Sequence, residues 1–90
     1  MDQSGPNIVL EAEQIEFRWT AEPEADRYEV DLFIAGRPAP VSLTVRPPAQ
    51  GTTWSVPGDL SRPVAVLWKV RALRAGRLVA ESRTIAFELQ

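Results

Sequence analysis

The chain has 90 residues, 44% of them apolar, with no cysteine, no histidine and a formal net charge of −2. That length allows one small domain, burying about two-thirds of the surface its unfolded chain exposes. The missing residue types exclude thiolate and imidazole chemistry, disulfides and the common zinc sites, and the mildly acidic balance argues against a nucleic-acid partner. No apolar run approaches the roughly 18 residues needed to cross a bilayer, which argues against direct membrane insertion, and Met1–Leu10 lacks the basic start and apolar stretch of a signal peptide.

In chain order, residues 1–7 read as a loosely held or disordered segment, followed by one domain over 8–90. Ile8–Leu10 is a weak strand signal. Ile15, Phe17 and Trp19 then alternate with Glu16, Arg18 and Thr20, the period of a half-buried strand. Tyr28, Val30, Leu32 and Ile34 alternate with Glu29, Asp31 and Phe33. Val41–Val45 and Thr52–Val56 are shorter strand signals, the latter carrying Trp54. Val66, Trp68, Val70 and Ala72 alternate with Leu67, Lys69, Arg71 and Leu73, and Ile85, Phe87 and Leu89 close the chain. The eight prolines fall in the gaps, where none removes a ladder hydrogen bond. Seven short strands at this spacing predict an all-β fold, a seven-stranded antiparallel β-sandwich, with a small barrel as the competing architecture. The inward register of Phe17, Trp19, Tyr28, Trp54, Trp68 and Phe87 favours the sandwich, since six rings fill one layer between two sheets.

The pattern Phe17-Arg18-Trp19, Tyr28-Glu29-Val30, Leu60, Trp68-Lys69-Val70-Arg71-Ala72 and Phe87 resembles the immunoglobulin-like fibronectin type III domain over Ile15 to Leu89. More narrowly it is similar to such modules in bacterial cell-envelope and anti-sigma-factor-like proteins, where a serine precedes the last strand, here Ser82. The resemblance implies one sheet of strands A, B and E and another of C, F and G with C′ beside C. It is nearly silent about function. One departure is Val66, which stands where the family usually has a corner tyrosine, so the segment from Pro57 to Pro63 is expected to be irregular. The zinc-binding module of some anti-sigma factors needs histidine and cysteine and so does not lie in this chain.

Charge is distributed unevenly. Met1 to Asp31 carries nine acids against two arginines, a net of −7, whereas Leu32 to Gln90 carries eight bases against three acids, a net of +5. An acidic partner for the second part is one reading. The simpler one sets the two parts side by side in a sheet, with Glu29 opposite Arg71, Asp31 opposite Lys69 and Phe33 opposite Leu67.

Few residues suggest chemistry. Glu22, Glu24 and Asp26 could offer oxygens to calcium but match no calcium-loop signature, so a solvated acidic turn is the simpler reading. Ser42, Ser55, Ser61 and Ser82 have no base, and Lys69 reads as a paired surface cation. No cofactor and no enzymatic activity are expected. Ala35-Gly36-Arg37 and Ala75-Gly76-Arg77 repeat a turn tripeptide, where glycine supplies a positive φ. A rim cluster of Arg37, Arg74 and Arg77 could bind an acidic glycan or protein. The stronger candidate is the set Phe33, Leu67 and Leu73, apolar residues on the outward register of the C-F-G sheet. These imply contact with a protein partner, a neighbouring domain or a second copy. The expected role is a non-catalytic interaction or spacer module of a larger envelope or regulatory protein, which would place it outside the cytoplasm as part of a longer chain. The alternative is a carbohydrate-binding accessory module of a polysaccharide-acting enzyme, which would need an exposed tryptophan such as Trp54.

Overall fold

The computed structural model describes residues 8–10, by their backbone, and residues 14–90. The expectation for residues 1–7 falls outside them. Eight strands run β1 (Ile8–Leu10), β2 (Gln14–Arg18), β3 (Arg27–Ile34), β4 (Val41–Val45), β5 (Gly51–Ser55), β6 (Val64–Arg74), β7 (Arg77–Glu81) and β8 (Ile85–Leu89), with no helix among the described residues. One sheet has the order β1-β2-β5; the other has β4-β3-β6-β7, with β8 also paired to β6. All pairings are antiparallel. This is the A-B-E and C′-C-F-G arrangement the resemblance implies. Every described proline lies outside the strands.

The eighth strand is not a new strand position. β7 and β8 lie end to end along the same edge of β6, β7 against Arg71–Arg74 and β8 against Val64–Trp68. The sequence pattern misses β7 because its alternation is broken. Ala72 faces Ala80 and Leu73 faces Leu78, leaving Val79 as the extra residue of a β-bulge. Where the chain leaves the ladder, Ser82 bridges the gap. Its N–H donates to the Val70 carbonyl at 2.9 Å, and its Oγ accepts from the Val70 N–H at 2.9 Å. A hydroxyl thus stands where a backbone carbonyl would, and the central strand keeps its donor satisfied.

The layer between the sheets is aromatic. Phe17, Trp19, Tyr28 and Trp68 are at most 1% exposed and Trp54 is buried, while Phe87 packs half-buried against them. Phe17 sits 4.6 Å from Trp68 and 6.2 Å from Phe87 between ring centroids, and Trp19 meets Tyr28 edge-on at 5.3 Å. These tilted contacts suit the ring quadrupoles better than flat stacking.

The E-to-F connection departs from strand geometry as expected. A turn closed by the Leu60 N–H on the Pro57 carbonyl, at 3.2 Å, leads to β6, and Val66, which has no hydroxyl to offer, is buried in the core. A tyrosine-to-backbone bond exists elsewhere: the Tyr28 hydroxyl accepts from the Glu22 N–H at 3.0 Å, tying the B-to-C loop to the sandwich. Gly36 and Gly76, from the two Ala-Gly-Arg tripeptides, both take the positive φ their turns require, +83° and +79°.

Candidate interaction face

β3 and β6 are neighbours in the expected register: Glu29 opposite Arg71, Asp31 opposite Lys69, Phe33 opposite Leu67. The ion pairs formed on this outward face are nevertheless not the directly opposed ones. Arg71 reaches Asp31 with Nε at 2.7 Å and Nη2 at 3.3 Å, Lys69 approaches Glu81 on β7 at 3.4 Å, and Arg27 approaches Glu29 at 3.3 Å. Diagonal neighbours in a sheet lie within reach of long side chains, and Arg71 and Lys69 use that reach.

Asp31 is 7% exposed although it points away from the core. The Arg71 fork covers it from one side and the Ser42 hydroxyl of β4 donates to its Oδ1 at 3.0 Å from the other. Thr44, the next outward residue of β4, donates to Glu29 at 3.0 Å. The Arg71 guanidinium is held protonated more firmly than a free one, first by its hydrogen bond to Asp31 and then by the Asp31, Glu29 and Glu81 charges. The alternation of hydroxyls along Val41–Val45 was the available sequence signal for this network.

On either side of the charged stripe the face is apolar. At the end where β3 finishes, Phe33 is 39% exposed and Leu67 42% exposed. They line a shallow depression of about 240 Å³ with Ile34, Ala35 and Ala65. At the other end Leu78 and Val79 are exposed on β7, a feature missed with the strand that carries them. Leu73 corrects the expectation. It lies on the outward register but is only 5% exposed, flanked by Arg27 on β3 and Leu78 on β7, so it adds no accessible surface.

The arginine cluster also needs correction. Arg37 follows the C-terminal end of β3, whereas Arg74 and Arg77 face each other at the F-to-G turn, beside the start of β3. Eight residues of β3 separate the two ends, about 26 Å. Arg37 approaches Asp59 at 3.5 Å, and Arg74 donates to the Glu24 carbonyl at 3.4 Å. In the acidic loop, Asp26 accepts from the Ala75 N–H at 2.9 Å, and Glu22 accepts from the Glu24 N–H at 3.5 Å. These carboxylates are engaged with backbone donors and serve the two turns.

A second depression, about 370 Å³, lies at the end of β2 and is lined by Arg18, Trp19, Gln50 and Gly51. The Trp19 Nε1 is sealed from solvent, which leaves Arg18 and Gln50 as its polar side chains.

No family model matches the chain, and no curated protein matches it. The chain is similar to a crystal structure of the FN1–FN3 domains of chicken CNTN1, with a TM-score of 0.74 and 18% identity over 98% of its own length. It spans 31% of that structure's chain. The likeness establishes the fold: a fibronectin type III-like, immunoglobulin-type antiparallel β-sandwich.

Proposed function

We propose that this domain is a non-catalytic interaction or spacer module of a larger bacterial envelope or regulatory protein of the anti-sigma type, working outside the cytoplasm. One observation carries the reading. Phe33 and Leu67 stand side by side, exposed, at one end of a sheet face whose central outward residues are polar and hydrogen-bonded. Exposed contiguous apolar side chains rimmed by polar groups mark contact sites. The fold supports a module of this kind, and the sequence resemblance supports the envelope setting. The carbohydrate-binding alternative has less support, because Trp19, Trp54 and Trp68 are buried and Phe33 is the one exposed aromatic ring among the described residues.

The test is a photo-cross-linking residue introduced at Leu67 in the native cell. A discrete adduct is expected from an extracytoplasmic fraction, lost on Phe33→Ser, with none from the same group at exposed Thr53 on the opposite sheet. Equal adducts from both positions, or none from Leu67, would overturn the reading.

A further inference from the structure

We infer that the exposed face of the β4-β3-β6-β7 sheet pairs with a second copy of this chain, about a two-fold axis running parallel to the strands between β3 and β6. This rests on the proposed interaction module and names its partner. The inference comes from the register. Along that line the outward residues form pairs of opposite kind, Glu29 with Arg71 and Asp31 with Lys69, followed by an apolar pair, Phe33 with Leu67. A two-fold axis along the line lays β3 of one copy over β6 of the other. Glu29 then meets the partner's Arg71 and Phe33 meets the partner's Leu67, while Lys69 lies over the partner's Asp31, which Arg71 and Ser42 of its own chain already cover. Acid meets base and ring meets aliphatic side chain, each contact made twice, as an isologous interface requires. An in-plane axis perpendicular to the strands, crossing between these two pairs, would instead set Arg71 against the partner's Lys69, so like charge disfavours that orientation.

Two further properties fit. The stripe is already paired within each copy, Asp31 with Arg71 and Lys69 with Glu81, so burying it strands no lone charge. Among the described residues, no element lies over this face. Its extent is small. Four strand positions about 4.8 Å apart and eight residues long give roughly 500 Å² per copy, so about 1,000 Å² in total, the lower bound for a specific interface. An interface of that size belongs with weak, transient contacts.

Sedimentation of the chain at rising concentration tests this, together with Phe33→Lys and Leu67→Glu. The wild-type mass should climb toward two copies by about 1 mM. Each single variant should remain at one copy, because a charge then faces an apolar side chain twice per interface. Mixing the two variants should restore association, since lysine at 33 meets glutamate at 67 in one half while native Phe33 and Leu67 meet in the other. A wild type that stays at one copy, or a mixture no heavier than its components, overturns the pairing. Should either variant unfold, wild-type amide shifts on dilution decide it. Changes confined to outward residues of β3 and β6 support the pairing, and changes elsewhere, or none, refute it. A single-copy wild type would leave the interaction module standing, since an adduct to a different protein from Leu67 remains its own test.

Discussion

β3 and β6 present two faces one backbone apart, and the two are built on different terms. The inner face carries Tyr28, Val30, Leu32, Val66, Trp68 and Val70, all sealed from solvent. The outer face carries ion pairs and hydroxyl bonds flanked by exposed apolar residues. Removing a ring from the inner layer leaves a cavity that the surrounding sheets fill only in part. Removing an outer side chain leaves a gap that water fills. The contrast teaches that stability and recognition can occupy the same two strands and be altered separately.

That separation can be broken or sharpened by substitution. The largest effect belongs inside: Trp68→Ala should cost about 4 kcal/mol in denaturant unfolding. A loss under about 1 kcal/mol would show that the sheets repack and that the inner layer is not the main support. Ser82→Ala comes next, about 2 kcal/mol, because the Val70 N–H loses its acceptor in a buried strand. Hydrogen exchange at Val70 should rise in step, and unchanged protection there would point to a substitute acceptor. Asp31→Ala probes the boundary between the two faces. Its half-covered pair with Arg71 predicts about 1–2 kcal/mol, between the values for exposed and buried pairs. Smallest is Glu81→Ala, below about 0.5 kcal/mol, since the Lys69 pair is open to solvent; a loss above about 1 kcal/mol would mean that this outer pair supports the fold as a buried contact does.

The inner face was legible in the sequence because a single rule, alternation with period two, assigns it. The same rule gave the register of β3 against β6 through three matched pairs. It failed where the backbone breaks the period. At Val79 the bulge places two exposed apolar residues in succession, and the pattern no longer marks β7 as a strand. It failed also where contacts run diagonally, as from Arg71 to Asp31, because alternation reports facing partners and not which neighbour a long side chain chooses. The supposed arginine cluster has a third cause. Two similar tripeptides looked like one feature, but they occupy turns at opposite ends of antiparallel strands, and Leu73 was covered by register neighbours that alternation does not weigh.

The most direct test is a side-by-side thermal melt of the Phe33→Ser, Leu67→Ser double variant and Trp68→Ala, each against the parent at a concentration low enough to keep every copy separate. If the outer apolar pair belongs to recognition, the double variant melts within about 3 °C of the parent while Trp68→Ala falls by roughly 20 °C. A double variant that falls as far as Trp68→Ala would place Phe33 and Leu67 in the folding core and remove the surface on which the interaction reading stands.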